Sequence, residues 1–213
     1  MTRTPGDVQG WLPGSPISEG IFTRSVLRDL ADLNRHYLEL GLDPGACSDP
    51  LFGWSGDVRN QIAGADPEVR GRMAACPFAL FELRLPTRNS VPGTEFPEEM
   101  DRVEDRPNGG GQSTTRLAGC VAFAHGALFT AWRLAESAPL VARIAFGLST
   151  TEEQELSETG PTRIALLAAS PGVVGPRWPA HSQFWAMLRG AAQAGSANSL
   201  QWAHCAGICL MDR

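Results

Sequence analysis

The sequence predicts an all-α protein made of two tandem helical units joined by an acidic, Pro- and Gly-rich linker. Three observations carry this: apolar residues recur at helical spacing in both halves, capping residues recur at matching places, and the polar stretch RNSVPGTEFPEEMDRVEDRPNGGGQSTT, Arg88 to Thr115, lies between. The boundaries expected are a tail at 1–20, a first unit at 21–86, a linker at 87–116 and a second unit at 117–213.

In the first unit Leu27, Leu30, Leu33, Tyr37 and Leu40 fall three or four residues apart, which predicts a helix from about Arg24 to Leu40 with one apolar face. Ser55 and Asp66 can each cap a short helix, because their side-chain oxygens accept from the open amides of the next turn. Pro67 then occupies a favoured first-turn position. After Pro77, FALFELRL reads as a short strand.

The second unit is expected to hold longer helices, from about Leu117 to Glu136 and from Pro139 to Gly147. Ser149 caps TTEEQEL, whose glutamates lie near the positive end of the helix dipole, and Pro161 opens PTRIALLAAS. Beyond the break PGVVGPRWP, two further helical stretches, HSQFWAMLRGAAQA and SANSLQWAHCAGICLM, have no counterpart in the first unit.

A shift of 94 residues aligns 52–77 with 146–171 without a gap, with seven identities: Phe52/Phe146, Gly53/Gly147, Ser55/Ser149, Pro67/Pro161, Ala74/Ala168, Ala75/Ala169 and Pro77/Pro171. Ile62/Leu156 and Met73/Leu167 keep apolar character, as a duplicated helix-turn-helix core requires.

The run DLNRHYL, with Asp32, Asn34, Tyr37 and Leu38, followed by LFGWSGDVRNQIAGADPEVRGRMAACPFALFELRL, resembles FlhD, the helical subunit of the bacterial flagellar transcriptional activator. The Gly before the first short helix, Ile62, the Met73-Ala74 pair and the closing trio Leu83, Arg84, Leu85 belong to the resemblance, and LQWAHCAGICL, Leu200 to Leu210, is similar to the family's last helix with one extra residue. The resemblance implies a helical module that pairs with itself and works through a second subunit. Two departures limit what carries over. Two units are fused here, and the second lacks the Asp-x-Asn-x-x-Tyr signature, placing Phe129 and Trp132 where Asn34 and Tyr37 align.

At 213 residues, with 43% hydrophobic and 19% charged, the chain can bury real cores, and no apolar run approaches the roughly 18 residues of a membrane span. MTRTPGDVQGWLPGSPISEG lacks the apolar segment of a signal peptide, so a cytoplasmic location is expected. The formal charge of −5 divides into −3 for 1–86 (8 basic, 11 acidic), −2 for 87–116 (4 and 6) and 0 for 117–213 (6 and 6). All eighteen basic residues are Arg. No segment has the basic excess of an autonomous nucleic-acid binder.

No nucleophile setting, phosphate loop or carboxylate pair emerges, so no enzyme, cofactor or metal is assigned. GGGQS at 109–113 lacks the Lys-Ser/Thr of a phosphate loop and reads as linker. His36 belongs on a polar helix face, while His125 and His204 sit in apolar stretches and read as satisfied core residues. Five cysteines, Cys47, Cys76, Cys120, Cys205 and Cys209, form an odd set without CxxC spacing and read as small buried thiols. His204, Cys205 and Cys209 share one helical side but lack the fourth ligand a zinc site needs. The acidic cluster from Glu98 to Asp105 reads as a solvated linker face.

Trp178, Phe184 and Trp185, beside Arg177 at the Pro-rich break, either cover the core or anchor a partner; these four are the candidate partner-binding residues. The function expected is a non-enzymatic interaction module, a regulatory subunit acting through a partner protein in transcription control. The alternative is a scaffold or adaptor without a transcription role.

Overall fold

A computed structural model describes residues 22–43, 53–85, 110–170 and 172–210. The tail at 1–20, most of the linker and Cys47 therefore lie outside the described residues. The described chain is mostly helical, in the order α1 (Arg24–Leu42), α2 (Gly56–Ala63), α3 (Pro67–Ala74), β1 (Phe81–Leu83), α4 (Gly110–Ser137), α5 (Pro139–Phe146), α6 (Thr150–Ser157), α7 (Pro161–Ala168), β2 (Val174–Pro176), α8 (Ser182–Ala194) and α9 (Ala197–Cys209).

The caps at Ser55 and Asp66 fall where the sequence places them, accepting from the amides of Val58 and Val69, and the structure adds Thr23, which accepts from the amide of Val26 at the start of α1. Ser149 and Glu152 close a reciprocal capping box at the start of α6, satisfying an open amide at each end of the pair. Helices α6 and α7 begin and end 94 residues after α2 and α3, and Ile62 and Leu156 are both fully buried. Phe52, the first residue of that alignment, is outside the described residues.

Three sequence expectations are corrected. Helix α4 begins at Gly110, so the last residues assigned to the linker are helical; extending an established helix adds one hydrogen bond per residue fixed, which offsets the weak propensity of glycine. The break at PGVVGPRWP contains a strand: β2 pairs antiparallel with β1 in the register Phe81↔Pro176, Glu82↔Gly175, Leu83↔Val174. Three residues are too few for alternation to register, and the pairing is long-range. The buried stripe of α1 is also rotated from the one read, running through Leu30, Ala31, Asn34, Tyr37 and Leu38, with Leu27, Leu33 and Leu40 half-buried.

One core runs through the whole described chain. Helix α1 packs on α3 and α2 as α4 packs on α7 and α6, and the two long helices pack on each other. Tyr37, Phe81 and Phe123 meet at its centre, with ring centroids 5.0–5.8 Å apart, so each half contributes aromatic area to the same cluster.

Asn34, a polar side chain, is fully buried in that core. Its Nδ2 donates to the carbonyls of Ala74 (3.1 Å) and Phe78 (2.9 Å), and its Oδ1 accepts from the amide of Leu80 at 2.8 Å. These bonds fix the turn that carries the chain from α3 into β1. A buried donor or acceptor left unpaired costs about 1–3 kcal/mol, so Asn34→Ala should lose about 3 kcal/mol or more of unfolding free energy in urea. A loss below about 1 kcal/mol would show that the network does not hold the turn.

Candidate functional site

The Pro-rich break that the sequence marked as a partner surface is a seam in the interior. Val173 and Val174 are buried, and the amide of Arg84 donates to the carbonyl of Val173 at 2.8 Å, extending the strand pair. The amide of Ala79 crosses to the carbonyl of Ala145 at 2.7 Å. Arg177 follows β2 and turns its guanidinium inward, where Nη1 donates to the carbonyls of Ala79 (2.8 Å) and Ala145 (3.3 Å). One side chain thus ties a carbonyl of each half. Burial lowers its pKa to about 10, against the opposing charge of Glu82, so it remains a cation at neutral pH.

Two glycines admit this arrangement. Gly147 ends α5 at φ 68°, a left-handed conformation, and a Cβ there would fall 1.9 Å from Arg177 Nη2. A Cβ on Gly175 would lie 2.6 Å from Cζ of Arg84, whose guanidinium crosses β2 and pairs with Glu82.

Trp178 and Phe184 are almost completely buried and Trp185 wholly so. Trp178 lies tilted against Phe184 with centroids 4.5 Å apart, Phe78 meets Trp178 edge-on at 5.5 Å, and Trp185 Nε1 donates to the carbonyl of Trp178 at 3.1 Å. The partner-binding assignment of Arg177, Trp178, Phe184 and Trp185 is therefore corrected: all four are spent inside the fold. Sequence could not separate the two uses, because an anchor and a core residue are the same residue types.

Other polar candidates disperse. His36 is exposed on α1, as read. His125 is exposed rather than core, stacked on the exposed Phe129 of α4, so Phe129 is not the counterpart of buried Asn34. Cys76 is buried, but Cys205 and Cys209 are exposed on α9 beside Trp202, against the expectation of buried thiols. Among the described residues, no three His, Cys, Asp or Glu side chains gather as a metal set, and no helix is long and apolar enough to cross a membrane.

The feature that sequence reasoning missed is a groove between α6 and α7. It encloses about 110 Å³ and is lined by Leu85, Glu155, Leu156, Glu158, Arg163 and Leu167 among others, with the 64% exposed Leu166 beside it in sequence. The signal lay in the unlike pairs of the 94-residue alignment: Gln61/Glu155, Gly64/Glu158, Val69/Arg163 and Arg72/Leu166.

No family model, curated protein or solved structure matches the chain.

The interior placement of the aromatics predicts a stability effect. Truncating a buried Trp leaves a cavity worth about 3–5 kcal/mol, so Trp185→Ala should lower the melting temperature sharply. Unchanged melting would place Trp185 outside the core.

His204 supplies a pH test. It lies edge-on to Phe78 at 6.1 Å, its Nε2 is buried without a hydrogen bond, and burial lowers its pKa to about 4. The folded form thus resists protonation that the unfolded chain accepts below about 6.5. Stability from this group is complete above pH 6.5 and declines as the pH falls toward 4, by up to about 3 kcal/mol. Urea titrations from pH 7 to 4 should show this slope, and His204→Phe should remove it. An identical slope in the variant would contradict the assignment.

Proposed function

We propose that the chain is a non-enzymatic protein-interaction module of two tandem FlhD-like units, a cytoplasmic regulatory subunit that acts through a partner protein in transcription control. One observation carries this reading. Helix pairs with matching bounds recur at a 94-residue offset, and the strands that follow them pair antiparallel with each other. Two copies of one unit related by a two-fold axis make such self-complementary contacts, the same patch meeting itself. A unit that pairs with itself, fused in tandem, performs this pairing within one chain and leaves its outer surfaces for other proteins.

The adaptor reading draws support from charge. With a net charge of −5 and no basic segment, the chain alone has little with which to release counterions from DNA. In the regulatory reading nucleic acid is reached through the partner.

The test is capture from the native cell on the full tagged chain, with mass spectrometry, followed by sedimentation and duplex binding of the purified components. The chain alone should sediment as a monomer of 22.8 kDa, and DNA affinity should appear only in the complex with a captured protein. Salt-dependent nanomolar binding by the chain alone, or failure of the wild-type chain to retain any stoichiometric partner, would overturn the reading.

A further inference from the structure

Helix α9 is seated on the core along one face only. Gly207 sets that face: a Cβ there would fall 2.5 Å from Cζ of Phe78 and 3.1 Å from Cε2 of Phe184, so the close approach depends on the bare Cα. Leu200 and Ala203 are buried on the same side, and His204 meets Phe78 edge-on. At about 100° per residue, Asn198, Trp202, Cys205 and Cys209 all point within roughly 40° of the direction opposite Gly207. They make one outward stripe at i, i+4, i+7 and i+11, and all four are exposed, Trp202 to 76%.

This outward face carries no charge. From Ser182 to Cys209 the one Asp, Glu, Lys or Arg is Arg189, although 19% of the chain is charged. Arg189 is turned to α2, with Nη1 3.4 Å from Gln61 Oε1. A surface helix ordinarily sets a charged face against its apolar one, and a helix without that contrast is built to be covered on both sides. Tryptophan is highly buried on average, and one that projects from a surface is the residue type that most often carries binding energy in a partner's pocket.

The make-up of the stripe selects what covers it. An ionic group pressed against α9 would lose its water and meet no counter-charge, so the contacting surface is itself uncharged. Area decides its shape. Trp202 offers about 150–250 Å² and each thiol less, well short of the roughly 800 Å² that each side of a stable interface buries. Two convex helices touching along this stripe, as in a pair of copies, fall below that figure. A concave surface reaches it, because its walls also cover Gln201 and Ala206 on the flanks. A lipid surface is disfavoured, since α9 has no Lys or Arg to hold headgroups.

We propose that α9 is the inserted element of a helix-in-groove contact, received by an uncharged apolar groove of a partner protein. Trp202 fills a pocket in that groove, where a carbonyl or amide oxygen accepts from its indole N–H, and Cys205 and Cys209 lie along the floor. The proposal rests on the reading of the chain as an interaction module and assigns the surface through which it holds its partner.

The experiment is N-ethylmaleimide labelling of Cys205 and Cys209, resolved by peptide mass, on the full tagged chain when free and when captured with its partner from the native cell. A thiol reacts only where the reagent reaches its thiolate. Both should label readily in the free chain and at least tenfold more slowly in the complex. Retention of that partner should fall at least tenfold in Trp202→Glu and in Cys205→Glu, each of which puts a charge into the groove. It should persist in Leu140→Glu, a charge at a 54% exposed leucine of α5, and should barely change with added salt, because no ion pair is there to be screened. Unchanged helicity and melting establish that these surface variants fold.

Equal labelling of both thiols in the free and captured chain would overturn the proposal, as would an equal loss of the partner in Leu140→Glu or its release by moderate salt. So would a purified wild-type dimer that Trp202→Glu separates, which makes a second copy the occupant, or binding to phosphatidylcholine vesicles that the same change abolishes, which makes it a membrane. The outcomes also separate this claim from the one beneath it. A partner held undiminished by Trp202→Glu and Cys205→Glu sinks the α9 contact alone, whereas a wild-type chain that retains no partner sinks the module reading and this contact with it.

Discussion

The closure of β1 on β2 is the constraint on which the rest of the molecule depends. Three residues from each half make the strand pair, which in isolation is far too short to be stable. Its persistence comes from what surrounds it. Phe81 carries the strand into the shared aromatic cluster, Asn34 fixes the turn before it, and Arg177 bonds the carbonyls of Ala79 and Ala145 from inside. Because Arg177 follows β2 while its acceptors lie before β1 and at the end of α5, the seam holds together three segments distant in sequence. The two halves consequently share one core rather than packing as separate bodies.

That shared core explains why the matching helix pairs have unlike surfaces. Near-equivalent strands can meet each other, as they would across a two-fold axis, but among the described residues the two helices that follow β2 have no counterpart after β1. Helix α8 is tied to the first half by the bond from the amide of Ser55 to the carbonyl of Pro179 at 3.2 Å and by the contact of Trp54 with Trp185, 6.1 Å between centroids. Among the described residues no helix covers the other pair in that way. In the second pair Arg163, Glu155 and Glu158 stand where the first has Val69, Gln61 and Gly64.

Much of this architecture was legible in the sequence where the signal is local. Ser55, Asp66, Pro67, Ser149 and Pro161 each act on the amides or backbone angles of the next turn, and each marks a helix start that the structure shows. The signals that failed are non-local. Asn34 stands in the sequence only as part of the Asp-x-Asn-x-x-Tyr run, and its role in the core is not legible there because the carbonyls that satisfy it lie 40 and 44 residues away. β2 reads as a loop, because only its partner strand makes it a strand. Trp178, Phe184 and Trp185 could be sorted into core or surface only by knowing what lies opposite, and Cys205 and Cys209 sit on the outer face of a helix whose weak amphipathicity gives no direction. The groove was hidden for another reason: identities in an alignment draw attention to what is kept, and the site lies at the positions that differ.

The central claim is that the halves form one cooperative body closed at the seam, and amide hydrogen exchange tests it most directly. The amides of Ala79 and Arg84 bond across the halves to the carbonyls of Ala145 and Val173. The account predicts that both exchange only through global unfolding, with the same opening free energy as the interior amides of α4 and α8. Exchange of these two amides through a low-energy opening that leaves α4 and α8 protected would contradict it, since the halves would then be stable apart and the seam merely a contact between them.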